Sequence, residues 1–281
     1  MGDSRSNRNW LLGGGELKKR LDLIVTERKL AASRSQARDL IKLGRVVVNG
    51  KICRKPGTIC FEEDEIKLCE PRQYVSRGGE KLEKAYLSFG LKFAEKIVCD
   101  IGASTGGFTQ FALKHGAKRV YAIDVGKNQL ADILRKDERV VCMENFNARN
   151  LRLRDIGEHV DIVLCDVSFI SIIYLLDPIG LILKDSGEAV LLIKPQFEIG
   201  KNQSHSVESH LEVIQRIFKK AIDSGLFPVD LIYSPITGSK GNIEYFAHMV
   251  RADTNKCIFD RVINIVEEAW DFFRGGKLCG Q

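Results

Sequence analysis

Two charged residues stand where charge is least expected. Asp166 directly follows the apolar run Val160 to Cys165, and Lys194 directly follows Val190 to Ile193 and precedes Pro195. Apolar runs of this length bounded by turn residues read as buried strands. A carboxylate and an amine at the carboxyl ends of such strands lie where open parallel sheets bind ligands. Together they suit deprotonation of a weakly acidic group such as a hydroxyl, with the amine as base or hydrogen-bond partner and the acid as its orienter. A structural ion pair between the two is the alternative.

The elements that would position them are legible from Lys96 onward, where strand and helix signals alternate. Apolar strand candidates fall at 96–101, 119–124, 139–144, 160–166, 188–194, 229–234 and 243–251. Most are separated by stretches of helix length, which predicts a largely parallel sheet with helices on both faces. The last two are joined only by Pro235-Ile-Thr-Gly-Ser-Lys-Gly-Asn242. That link is too short for a crossover helix, so an antiparallel hairpin at one sheet edge is expected. Beyond it, Phe259, Val262, Ile263, Val266, Trp270 and Phe273 have the spacing of a packing helix.

Asp100-Ile-Gly-Ala-Ser-Thr-Gly-Gly107 follows the first strand and precedes a helical pattern, the context in which a glycine motif binds a ligand. A dinucleotide fingerprint needs G-x-G-x-x-G, but position 104 is Ser and an acid precedes the first glycine by two residues. That form is similar to motif I of S-adenosylmethionine methyltransferases. It assigns Asp100, Gly102, Ala103, Ser104, Gly106 and Gly107 to the cofactor. Asp124, ending the next strand, suits the ribose diol, and Asn145 and Asn147 suit the adenine side. A glycine turn that binds nothing is the alternative.

The front of the chain is different in character. Residues 1–15 are polar and Gly-rich and read as a disordered extension. From Glu16 to Lys55, Lys or Arg occupies 18, 19, 20, 28, 29, 34, 38, 42, 45, 51, 54 and 55. Acids occupy 16, 22, 27 and 39, so twelve minus four gives +8 of charge, against +6 for the whole chain. Such a stretch is either an anion-binding face or a solvated helix surface. Ser33-Arg-Ser-Gln36 reads as a capping box for a helix that turns Ala37, Leu40 and Ile41 inward and ends at Gly44. Arg34, Arg38 and Lys42 then share one face. Val46 to Val48, Asn49-Gly50 and Lys51 to Cys53 form a hairpin signal.

This module, over residues 18–67, resembles the S4 RNA-binding domain through Lys19-Arg-Leu-Asp22, Ser33-Arg-Ser-Gln-Ala37, Leu43-Gly-Arg-Val46 and Val48-Asn-Gly-Lys51. The resemblance implies RNA contacts from Arg20, Arg34, Ser35, Arg38, Lys42, Arg45 and Lys51. Over about residues 17–250 the chain resembles the TlyA (haemolysin A) family of ribosomal RNA 2′-O-methyltransferases, an S4 domain fused to an FtsJ-like methyltransferase domain. The motifs that carry this are Tyr74-Val-Ser-Arg-Gly-Gly-Glu-Lys-Leu82, Asp100 to Thr109, Asp166-Val-Ser-Phe-Ile-Ser171, Lys194-Pro-Gln-Phe-Glu198, and Ser234-Pro-Ile-Thr-Gly238 with Gly241-Asn-Ile-Glu244.

The resemblance implies a catalytic tetrad of Lys81, Asp166, Lys194 and Glu244, with Asp166 also close to the cofactor. It implies S-adenosylmethionine as cofactor, and rRNA or ribosomal subunits, with cytidine as target, as substrate. It implies a Rossmann-like α/β methyltransferase domain with a mostly parallel seven-stranded sheet, preceded by a small α+β S4 domain. The expected divisions are 16–70 for the S4 domain, 71–79 for a linker, 80–254 for the FtsJ-like domain and 255–281 for a C-terminal helix and tail. Two stretches depart from the family. Arg72-Gln-Tyr-Val75 replaces the commoner Arg-x-Trp-Val, and Lys201 to Val207 replaces a longer glycine-rich loop.

Composition narrows the rest. Eight cysteines at 53, 60, 69, 99, 142, 165, 257 and 279 include no C-x-x-C pair, and His205 and His210 lie away from them, so no metal site is expected. No stretch reaches the roughly 18 apolar residues that span a bilayer, and the N-terminus lacks a signal-peptide pattern, which predicts a cytoplasmic protein with no membrane partner. Two other readings stay open: a noncatalytic ribosome-binding or assembly factor, and a membrane-lysing protein. The sequence leaves the oligomeric state unknown.

Overall fold

In a computed structural model the chain divides into two compact units, Met1–Arg72 and Gln73–Gln281. The described residues are 18–31, 33–42, 44–69, 73–200, 205–238, 241–253 and 258–274. The expected extension at 1–15, most of the departing stretch at 201–207 and the tail beyond 274 lie outside them.

The first unit is a small α+β module. Strand β1 (Lys19–Arg20) pairs antiparallel with β4 (Ile59–Cys60), and β2 (Val46–Val48) pairs antiparallel with both β3 (Lys51–Cys53) and β5 (Ile66–Leu68). Helices α1 (Leu21–Glu27) and α2 (Arg34–Lys42) supply Leu21, Ile24, Val25, Ala37 and Ile41 to a core shared with Val46 and Ile66. The hairpin turn has Asn49 at φ 48° and Gly50 at φ 76°. Those are the left-handed values that a two-residue Asn-Gly turn requires. Helix α2 starts directly after Ser33 as expected; the side chain of Gln36, the other half of the expected capping box, is outside the described set.

The second unit is a seven-stranded sheet covered on both faces. Its elements, in order, are α3 (Arg77–Phe89), β6 (Ile97–Ile101), α4 (Gly107–Lys114), β7 (Arg119–Ile123), α5 (Asp132–Arg135), β8 (Val140–Met143), α6 (Leu153–Ile156), β9 (Val160–Cys165), α7 (Ile173–Ile182), β10 (Leu183–Ile193), α8 (Val207–Asp223), β11 (Phe227–Tyr233), β12 (Tyr245–Val250) and α9 (Phe259–Arg274). Strand order is β11-β12-β10-β9-β6-β7-β8. The five strands from β10 to β8 are parallel, and β12 runs antiparallel to both β10 and β11. The expected edge hairpin is therefore present.

Alternation along the strands sorts side chains into two cores. Odd-numbered residues such as Cys99, Ile101, Val163, Cys165, Leu191, Ile193, Tyr245 and Ala247 pack with α7, α8 and α9. Even-numbered ones such as Val98, Ile162, Leu164, Val190, Leu192 and Phe246 pack with α3 and α4. The same parity, carried one residue past each strand, sends Asp166, Lys194 and Glu244 to the α3/α4 face, which Asp100 also shares.

Two expectations are corrected. Residues 73–79 are not a linker: Tyr74 is buried in the second unit, its ring 5.5 Å from that of Phe111, and Ser76 caps α3 by accepting a hydrogen bond from the Gly78 N–H at 3.2 Å. Strand β10 begins at Leu183 rather than 188, because Leu183 pairs with Val160 before an irregularity ahead of Glu188. The polar run Lys184-Asp-Ser-Gly187 reads as a turn in sequence. The C-terminal helix belongs to the core it shares with α7 and α8, through Val262, Ile265 and Val266.

Gly107 opens α4 against α3. A Cβ there would collide with Ser76 Oγ and lie 3.0 Å from the Gly79 amide nitrogen. Gly107→Ala should therefore force the helices apart and cost about 1–3 kcal/mol, read as a lower urea midpoint at unchanged slope; an unchanged midpoint would show that the two helices have room to spare.

Candidate active site

The glycine loop is held by backbone contacts to two neighbouring strands. The N–H groups of Gly102 and Ala103 donate to the Ile123 carbonyl at 2.9 and 3.0 Å, and the Asp166 N–H donates to the Ile101 carbonyl at 2.9 Å. Gly102 has φ 83°, and a Cβ on it would lie 2.5 Å from the Asp166 carbonyl oxygen. Only glycine fits there. Ser104 takes φ 47° and donates its N–H to Asp124 Oδ2 at 2.8 Å. The position where a dinucleotide loop carries glycine thus keeps a left-handed backbone, with an acid holding it in place.

Two adjoining lobes open beneath this loop. The larger, about 370 Å³, is walled by Ile101, Ile123, Val125, Phe146 and Leu175, with Asp124 and Asn147 at its polar margin. The smaller, about 190 Å³, lies against the loop and is lined by Asp100, Asp166, Ser168 and Lys194, with Ser76 and Gly78 from the α3 end. Gly102, Ser104, Asp166 and Ser168 border both lobes. Asn145 is not part of this wall: it is exposed, at φ 54°, with its N–H bonded to the Gly126 carbonyl, and Phe146 takes its place.

The four implied catalytic residues gather as two ion pairs. Lys194 Nζ lies 2.6 Å from Asp166 Oδ1 and donates to Ser168 Oγ at 2.9 Å. Lys81 Nζ, from α3, donates to Glu244 Oε2 at 2.6 Å; these side chains are only 8% and 3% exposed. Gln196, two residues after Lys194, donates to Glu244 Oε1 at 3.3 Å and so joins the pairs. Asp166 and Lys194 face the cleft, whereas Lys81 and Glu244 stand behind it. A Cβ at Gly238 would collide with the Glu244 carboxylate, so that glycine leaves the space the acid occupies.

Residues that spacing alone did not single out complete the site. Glu198 ties the Lys194 loop to the Asp166 loop, accepting from Ser171 Oγ at 2.6 Å and from the Ile172 N–H at 2.7 Å. Phe169 is 90% exposed at φ 65°, its ring 5.0 Å from that of Phe197 beside the cleft mouth. Both lie inside motifs quoted above, but no periodicity marks them as partners.

In the first unit, Arg20, Arg34 and Arg38 converge on Asp22. Lys42 ends α2, Arg45 precedes β2 and Lys51 opens β3; the Ser35 side chain lies outside the described set. Among the described residues no cluster of His, Cys, Asp and Glu could hold a metal ion, and no helix is long and apolar enough to cross a membrane.

Residues 74–251 match the FtsJ-like methyltransferase family, and residues 19–66 match the S4 domain. The chain belongs to the FtsJ-like methyltransferase family. Among relatives of this FtsJ-like protein, Hemolysin A of Brachyspira hyodysenteriae is 44% identical over 239 residues, covering 82% of this chain and 99% of that one. The 16S/23S rRNA (cytidine-2′-O)-methyltransferase TlyA of Mycobacterium tuberculosis is 38% identical over 247 residues, covering 85% and 92%. A solved Streptococcus thermophilus protein described as a hemolysin superposes with a TM-score of 0.74 at 39% identity, over 94% of this chain and all of that one.

As a member of this family the protein is an S-adenosylmethionine-dependent methyltransferase, and its cleft fits that cofactor. An apolar lobe with an acid and an amide at its edge suits a nucleoside, and a small polar lobe suits a short charged chain. Asp100 Oδ1 is buried there with no hydrogen-bond partner, while Oδ2 accepts from Thr109 Oγ1 at 2.6 Å.

Burial, and then the nearby Asp166 and Asp124 carboxylates, push Asp100 up to about 7 against the opposing hydrogen bonds from Thr109. A carboxyl raised in the folded state stabilises most below its unfolded value and loses that contribution as pH rises through the folded one. Cofactor-free protein should therefore lose on the order of 4 kcal/mol between about pH 4 and 7 from this group. Asp100→Asn should remove that component of the unfolding profile; parallel profiles for the two proteins would mean that Asp100 is ionised throughout.

Proposed function

We propose that the protein methylates the ribose 2′-hydroxyl of cytidine in 16S rRNA, 23S rRNA or both, in the cytoplasm. The observation that carries this reading is the Lys194–Asp166 pair, facing the cleft directly beneath the glycine loop. The activity named for the Mycobacterium tuberculosis relative supports it. S-Adenosylmethionine, when bound, supplies an electrophilic methyl group on a sulfonium centre. Asp100, the Gly102–Gly107 loop, Asp124 and Asn147 are the residues that would hold it, with Asp166 at the junction of the lobes.

A ribose hydroxyl is a weak nucleophile near neutral pH, so it needs a partner that draws off its proton as the C–O bond forms. Lys194 lines the cleft, and its amine in the uncharged form takes up that proton, becoming the ammonium that pairs with Asp166. Asp166 and Ser168 fix the Lys194 amine, which restricts the hydroxyl to one line of approach. Lys81 and Glu244, buried behind, hold Gln196 and hence the loop that carries Lys194. Phe169, backed by Phe197, offers a face on which an unpaired base can stack beside the cleft. The basic S4 unit grips RNA phosphates and positions the substrate without reading much sequence.

The test is transfer of labelled methyl from S-adenosylmethionine to 30S subunits, 50S subunits and naked rRNA, followed by nuclease digestion to identify the modified nucleoside. Wild type should yield 2′-O-methylcytidine, and Lys194→Ala should lower the rate roughly 10²- to 10⁴-fold. No incorporation into any of the three RNAs would overturn the proposal in favour of a noncatalytic ribosome-binding factor.

A further inference from the structure

The first unit contains an arrangement that its charge count does not reveal. Asp22, in the first turn of α1, has a fully buried side chain, and it accepts from three arginines on two elements, β1 and α2. Arg20 of β1 donates Nε to Oδ1 at 3.0 Å and Nη2 to Oδ2 at 3.2 Å. Arg34 and Arg38, one turn apart on α2, each donate Nε to Oδ2, at 3.1 and 3.0 Å. Four bonds equal in number the roughly four lone-pair sites of a carboxylate, with three falling on Oδ2 and one on Oδ1.

The arginine side chains themselves remain 43%, 46% and 48% exposed. A guanidinium has more N–H donors than these bonds use, so each can bind a further acceptor while held. One arginine would satisfy a buried acid. Three like charges drawn to one point repel each other, and the arrangement gains its use when anions arrive at that surface. The backbone makes room for it, since a Cβ on Gly57 would lie 3.2 Å from Arg20 Nη1.

We propose that Asp22 is a positioning residue of the RNA-binding surface, holding Arg20, Arg34 and Arg38 as one preorganised cluster for neighbouring phosphates of a folded RNA backbone. This rests on the reading that the protein acts on RNA. Long, freely rotating arginines lose side-chain entropy on contact with a ligand, and Asp22 has already fixed them. The consequence runs against simple charge counting: removing the acid makes the surface more positive and yet weakens its grip on a polyanion.

The experiment uses the full-length protein and measures rRNA affinity across a salt series, with methyl-transfer kinetics on subunits. Asp22→Asn should bind roughly tenfold more weakly and show a shallower salt dependence, because fewer phosphates are engaged together. KM for the subunits should rise by a similar factor with kcat unchanged. Equal or tighter binding by Asp22→Asn would overturn the proposal. Should that variant not fold, Arg34→Lys keeps the charge but loses the Nε–H bond to Asp22. It should also bind more weakly, and wild-type affinity for it would overturn the proposal equally. Failure of the underlying reading would show separately, as wild-type protein that does not bind rRNA at all.

Discussion

The close approach of two strand ends governs the second unit. Strands β6 and β9 are hydrogen-bonded parallel neighbours with Ile101 in register with Cys165. Both chains leave the sheet at that level, one into the glycine loop and the other into the Asp166 loop. The Asp166 N–H closes on the Ile101 carbonyl, and the Asp166 carbonyl passes where a Cβ on Gly102 would stand. A side chain at 102 would push the glycine loop away from the Asp166 loop. The two lobes of the cleft therefore meet at one backbone contact, which explains why their linings overlap.

Around that contact the protein keeps charges where folding alone would disfavour them. Burying an ion pair such as Lys81–Glu244 removes two charges from water, and its attraction seldom exceeds that desolvation cost by much. Such a pair adds little net stability but is expensive to break on one side only. That asymmetry suits a positioning element: Glu244 is fixed by Lys81, and Gln196 is fixed by Glu244. Lys194 then follows from a loop that has few other arrangements open to it. Glu198 makes a comparable tie by clamping Ser171 and Ile172.

Much of this was legible in the sequence because period-two alternation and strand-end position are local properties. Asp166 and Lys194 were readable as strand-end charges, and the edge hairpin followed from the length of one loop. What failed was also local. Lys184 to Gly187 carries turn residues yet continues β10, since Leu183 gains a partner only from Val160, more than twenty positions away. Tyr74 looked like part of a linker because its burial depends on Gly79 and Phe111, neither of which its own neighbourhood reveals. The pairing of Lys81 with Glu244 spans 163 residues; the family resemblance pointed to both residues, whereas spacing along the chain carries no such information.

A similar device recurs in the two units. In a chain with net positive charge, buried or half-buried carboxylates set the direction of cations that would otherwise wave in solvent. Asp166 aims an amine at the cleft, and Asp22 aims three guanidiniums at the surface. Counting lysines and arginines therefore measures only how strongly a polyanion is drawn in. Where it is held depends on a few acids, which a charge count scores as losses. For a methyltransferase, holding the substrate at a defined place matters more than attracting it, and the roles proposed for Asp22 and Glu244 are to supply that constraint without touching the reacting atoms.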